Sequence, residues 1–191
     1  IQIIFLLRSP GNRCKIGKYG GDAMEEYFDL RDEAGRVTGQ VKARTLVHRD
    51  GDLHGTAHVW LARSGDAGPE LLLQLRSRDK DAYPGCWDIS SAGHLPAGSE
   101  FLESALRELS EELGLAAAPG DLRFLGFLRR CFRGKFHGAP FADHELAAVY
   151  LLRRDVRPDS LRLQREEVET VRWFPLAEIR ARLSDPDFPN C

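Results

Sequence analysis

The chain runs to 191 residues, enough for one domain with a real core and cramped for two. Hydrophobic residues at 42% and charged residues at 29% are ordinary for a soluble globular protein, and the net charge of -2 comes from interleaved acids and bases. No basic stripe argues for a nucleic-acid polymer, no acidic excess argues for a cationic partner, and no apolar run reaches the roughly 18 residues of a membrane span.

Residues 1–23, IQIIFLLRSPGNRCKIGKYGGDA, differ from the rest of the chain: they hold no initiator Met and no acid before Asp22. They read as an N-terminal tail with three possible origins: a targeting remnant, translated upstream sequence or a fragment boundary. One domain is expected over 24–191, in the cytoplasm, or in an organelle if the tail is a targeting remnant. Cys14, Cys86, Cys131 and Cys191 lack CxxC spacing and read as free thiols of a reducing compartment.

YFDLRDEAGRVTGQ (27–40) predicts a hairpin turning at Glu33-Ala34-Gly35. GTAHVWLAR (55–63) and ELLLQLRS (70–77) are apolar strands split by the turn-rich SGDAGP, and WDISSAGH is strand-like after the Pro84-Gly85 loop. Leu102, Leu106, Leu109 and Leu113 recur at helical spacing, and Gly114 stands where a helix ends in αL. Residues 122–132, 145–154 and 168–174 predict further strands, and Pro175 opens a last helix, PLAEIRARL. Strands on either side of one central helix predict an α/β fold, a mixed sheet sandwiched by helices.

The central helix carries Glu108, Glu111 and Glu112 on one flank beside its apolar face. Like charges at this spacing cost about 0.2–0.5 kcal/mol per pair even in water. A solvated face would tolerate that, and a hard divalent cation would remove it, since Mg²⁺ favours carboxylate oxygen.

Gly93, thirteen residues, then Arg107-Glu108-Leu109-x-Glu111-Glu112-x-Gly114-Leu115 resembles the box of the Nudix hydrolases in register. One position departs: the first glutamate of the box would fall at 99, where Ser99 precedes Glu100. Ser99 could instead cap the helix. The resemblance implies an α/β/α sandwich with a mixed β-sheet and metal-assisted cleavage of a diphosphate linkage in a small molecule. It implies Mg²⁺ (or Mn²⁺) held by Glu108, Glu111 and Glu112 with the Gly93 carbonyl nearby, and Arg107 orienting the glutamates. Glu108 or Glu145 would be the general base.

WDISSAGH and LVHRDGDLHGTAHVWL (46–61) resemble the branch of type I isopentenyl-diphosphate isomerases, and still more the plant-type Nudix proteins with a dipeptidyl-peptidase-III-like extension. No HExxH occurs in these residues. By that likeness His54 and His94 match histidine ligands, His48 lies one residue from a third position, and Asp143 and Glu145 fall at two acidic positions. The isomerase cysteine, however, is replaced by Ala92, whose methyl group cannot carry a proton. His54 and His94 are therefore candidates for ligand or phosphate contact, whereas His58 and His144 read as ordinary hydrogen-bonding residues. Trp60 and Trp87 read as core aromatics. Arg76, Arg78 and Lys80 in LRSRDKDAYPG are candidates for the substrate phosphates, against the reading of a solvated basic loop.

Three functions fit these residues: a diphosphate hydrolase acting on a nucleoside diphosphate derivative or an isoprenyl diphosphate, an isopentenyl-diphosphate isomerase, and a non-catalytic module sensing a phosphorylated ligand. The complete glutamate set disfavours the third and Ala92 the second, leaving the hydrolase.

Overall fold

The computed structural model describes residues 25–191 apart from 81, 137, 184 and 186, so the tail expected at 1–23 lies outside the described residues. The hairpin forms as β1 (Tyr27–Arg31) and β2 (Val37–Ala43), turning through Gly35 at φ 81°. The core sheet follows with β3 (Leu53–Gly65), β4 (Gly68–Arg76), β5 (Trp87–Asp88), β6 (Ser91–His94), β7 (Leu122–Phe136), β8 (Ala139–Arg153) and β9 (Val168–Pro175). These make a mixed seven-stranded sheet in the order β5-β4-β3-β8-β7, with β6 paired to β3 and β9 to β4. β3 and β8 run parallel, and the other pairs are antiparallel.

Helices cover both faces. α2 (Phe101–Leu113) buries Ala105, Leu109 and Leu113 against Ala57, Val59 and Leu61 of β3. α3 (Leu176–Arg182) packs Leu176 and Ile179 in the opposite cluster, with Trp60, Val149 and Phe174. The α/β sandwich expected from the sequence is the one observed. Burying one Leu side chain stabilises by about 1.5–3 kcal/mol, so Leu109 and Leu113, both fully buried, fix the axial rotation of α2 and with it the direction of its glutamates. The helix stops at Gly114, φ 63°, where the Leu115 N–H returns to the Leu109 carbonyl at 3.1 Å. A Cβ there would strike Arg162 at 2.7 Å.

Three details differ from expectation. WDISSAGH is not one strand: it breaks at Ile89-Ser90, where the Ser90 hydroxyl accepts from the Leu61 N–H at 2.7 Å and donates to the Leu72 carbonyl at 2.6 Å. Ser99 does not cap α2; Glu100 is the N-cap residue, with no side-chain cap bond, and the Ser99 N–H goes to the Pro96 carbonyl. Cys131 and Cys191 are free thiols, but Cys86 is disulfide-bonded, against the reading of four free cysteines. A helix the sequence did not announce, α1 (Arg44–Asp50), joins β2 to β3 and buries Val47 and His48.

Candidate metal and substrate site

Strand alternation decides which side chains meet. Because Ala57, Val59 and Leu61 lie under α2, the even-numbered His54, Thr56, His58 and Trp60 turn to the other face. Register then brings partners to that face: His94 opposite Thr56, Glu145 opposite His54, and on β7 Arg130 opposite Glu145 and Phe132 opposite Asp143. His144 falls on the far face, so Asp143 and Glu145 are the acids of FADHEL that reach the site.

α1 lays His48 over this group. Its ring meets His54 and His94 edge-on, with centroids 5.1 and 5.3 Å away, and stacks on Phe141 at 4.9 Å. Phe28 of β1 stacks on His94 at 4.8 Å and on His54 at 5.4 Å. One ligand atom each from His48, His54, His94 and Asp143 lies within 4.8 Å of the others. Asp143 Oδ1 sits 3.5 Å from Nε2 of both His48 and His54, too long for a good hydrogen bond. His54 Nε2, His94 Nε2 and Asp143 Oδ1 are thus buried without a partner. Three orphaned polar atoms gathered within 4.8 Å would cost several kcal/mol unless filled, and nitrogen plus carboxylate oxygen is a divalent-cation donor set. The Nδ1–H of His54 donates to the Asp52 carbonyl at 3.0 Å, which leaves the Nε2 lone pair facing inward. Burial holds His54 down to about 4 and His94 well below its ordinary value, so both rings stay neutral and able to ligate.

The α2 carboxylates lie against the outer edge of β6. Arg107 donates to Glu108 at 2.7 Å, to Glu111 at 2.8 Å and to the His94 carbonyl at 3.3 Å. Gly93 leaves the space that the Glu108 carboxylate fills; a Cβ there would overlap it. Glu112, only 5% exposed, accepts from the Ala92 N–H at 3.2 Å. Burial raises Glu112 to about 8, helped by the charges of Glu108 and Glu167, and burial raises Glu108 against the pull of Arg107. Glu111 is exposed. Among the described residues the donors that converge are the histidine–aspartate quartet; the three glutamates share a flank without their oxygens meeting at one point.

Glu145, 7% exposed, is raised by burial and then by the charge of Asp143, with Arg130 opposing. Arg76 donates to Asp88 and to the Ala82 carbonyl, each at 3.0 Å, and Lys80 is paired with Glu167, so these two substrate candidates are already engaged. Sequence reasoning placed His48 one residue out of line and passed over Tyr83 and Arg130. Tyr83 holds φ 51°, uncommon for a side chain of that bulk, with its ring 6.3 Å from Phe132 at the rim.

Residues 52–189 match the NUDIX domain profile, most of the chain and all of the core sheet. The chain belongs to the Nudix family. This Nudix chain is 44% identical over 167 residues to Nudix hydrolase 3 of Arabidopsis thaliana, covering 85% of the chain but 21% of that protein. It therefore spans about a fifth of that relative's length. It is 33% identical over 157 residues to an isopentenyl-diphosphate Delta-isomerase of Nocardia farcinica, covering 82% and 83% of the two chains. The Nudix fold is shared with DR0079 from Deinococcus radiodurans, at TM-score 0.67 and 21% identity over 87% of this chain and 93% of that one. No helix among the described residues is long and apolar enough to cross a membrane.

Proposed function

We propose that the chain is a divalent-metal-dependent Nudix hydrolase that cleaves the diphosphate linkage of a small molecule, a nucleoside diphosphate derivative or an isoprenyl diphosphate. The observation that carries this reading is the seating of α2 on β6, with Glu108 in the space left by Gly93 and Glu112 on the Ala92 N–H. The α2 glutamates with the Gly93 carbonyl, and the histidine–aspartate quartet, offer oxygen-rich and nitrogen-bearing donor sets fit for Mg²⁺ or Mn²⁺. When bound, such a cation neutralises diphosphate charge and acidifies water.

The chain's own residues supply the rest. Arg107 holds Glu108 and Glu111 apart in fixed directions. Glu145, raised to about 8 by burial and then by the charge of Asp143, is the candidate base that takes a proton from water in its ionised form, and Glu108 is the alternative base. His54 and His94 stay neutral, and the inward Nε2 lone pair of His54 is able to hold a metal.

An isomerase reading draws on the quartet and on the Nocardia relative. Against it, Ala92 stands on the catalytic face opposite His58, where a thiol would be needed to move a proton. A panel of nucleoside diphosphate derivatives and isopentenyl diphosphate, incubated with Mg²⁺, separates the two. Phosphate-bond cleavage that stops on exhaustive chelation is expected. Full activity after chelation sinks the metal-dependent reading, and conversion of isopentenyl to dimethylallyl diphosphate at an ordinary enzymatic rate sinks the argument from Ala92.

A further inference from the structure

A diphosphate brought to this face meets carboxylates almost everywhere: Asp88, Asp143 and Glu145, with Glu108 and Glu112 on the flank. The cations nearest in sequence are spent. Arg76 is held by Asp88, Lys80 by Glu167, and Arg107 by Glu108 and Glu111. One guanidinium on the catalytic face is placed otherwise. Arg130 of β7 stands directly across the ladder from Glu145, on the same face as Phe132 and Leu128. It is half-buried, and Glu145, Asp88 and Asp143 act on it by charge at longer range without forming an ion pair among the described residues.

We propose that Arg130 is the side chain that grips the substrate diphosphate, donating its paired N–H groups to non-bridging phosphate oxygens. This rests on the hydrolase reading above. A guanidinium suits the task because its rigid fork matches phosphate geometry, and because partial burial strengthens the attraction. Its position beside Glu145 sets the bound phosphate within reach of the candidate base. The opposing account is that Arg130 only offsets the charge of Glu145 and so holds that carboxylate in place.

Binding of imidodiphosphate, whose P–N–P bridge resists hydrolysis, is measured by calorimetry in the presence of Mn²⁺, alongside Mn²⁺ binding alone and steady-state rates on the panel's best substrate. Arg130→Met should weaken imidodiphosphate tenfold or more and raise KM in step, with Mn²⁺ affinity nearly unchanged; kcat falls as well, because the charge of Arg130 opposes the raised pKa of Glu145. Arg130→Lys keeps the charge without the fork and should lose several-fold, which guards against a Met variant that fails to fold. Unchanged imidodiphosphate affinity and KM, with a lowered kcat and a displaced pH profile, would overturn the proposal and leave Arg130 as a positioning residue for Glu145. If the parent chain binds imidodiphosphate through Arg130 but cleaves no substrate, the hydrolase reading falls and the anion site stands.

Discussion

Replacing Glu112 by Gln tests the electrostatics of α2 directly. The carboxyl is buried, and its folded-state pKa is raised from 4.5 to about 8, by burial first and then by Glu108 and Glu167. A raised carboxyl binds its proton more tightly in the folded chain than in the unfolded one, so the metal-free fold loses stability as pH climbs from 4.5 to about 8. At about 1.4 kcal/mol per pH unit, the loss approaches on the order of 5 kcal/mol at the top of that window. Gln keeps the shape and still accepts from the Ala92 N–H, but it does not ionise. In a chelator, Glu112→Gln should therefore match the parent near pH 4.5 and exceed it increasingly toward pH 8.5. Urea unfolding of both proteins across that range measures the gap, and other titrating groups cancel in the difference. Adding Mn²⁺ should then reverse the order, because the parent alone gains a charged ligand, and turnover by the variant should fall 10²-fold or more. A constant stability gap across pH, or equal Mn²⁺ affinity in the two proteins, would refute the reasoning and leave Glu112 a buried carboxyl with no part in holding a metal.

Gly93→Ala should displace the Glu108 carboxylate and break its bond to Arg107, destabilising by about 1–3 kcal/mol and removing most activity; a variant as active as the parent shows that this carboxylate does not matter. Since burial lowers His54 from 6.5 to about 4, a proton competes for its ring nitrogen only below about pH 5. In the metal-free chain the His54 ring, followed by NMR, should therefore stay neutral from pH 8 to pH 6 and take its proton below about pH 5, and protonation of that ring near pH 6.5 would contradict this. Glu145→Gln should keep Mn²⁺ affinity roughly intact and lower the rate, as read from parallel titrations and rates.

Local pattern carried the parts that depend on local physics. The leucine spacing of α2, the stop at Gly114 and the order of the flanking strands could all be read because period and αL geometry are written within a few residues. His54 and His94 could be proposed for the same reason, through the motifs that contain them. The parts that could not be read are long-range. RTLVHRD has no apolar period long enough to announce α1, and only its winding carries His48 into the quartet. Arg76 and Lys80 looked available because nothing nearby in sequence marks their partners; Asp88 and Glu167 reach them through the pairing of β5 and β9 with β4. Arg130 stayed hidden because its importance lies in a register with Glu145 that only the β7–β8 ladder defines.

The quartet draws three members from strands and one from α1, and this asymmetry bears on how a cation would come and go. His54, His94 and Asp143 ride on a hydrogen-bonded sheet whose opening amounts to losing the fold. His48 rides on seven residues, too few to stay helical unaided, held down by Val47 and by rings at Phe28 and Phe141. Lifting that short segment is a local fluctuation, far less demanding than melting the sheet. The lifetime of a bound ion would thus follow the opening frequency of α1, and amide hydrogens of residues 47–50 would be the sentinels that slow their exchange when the ion is present.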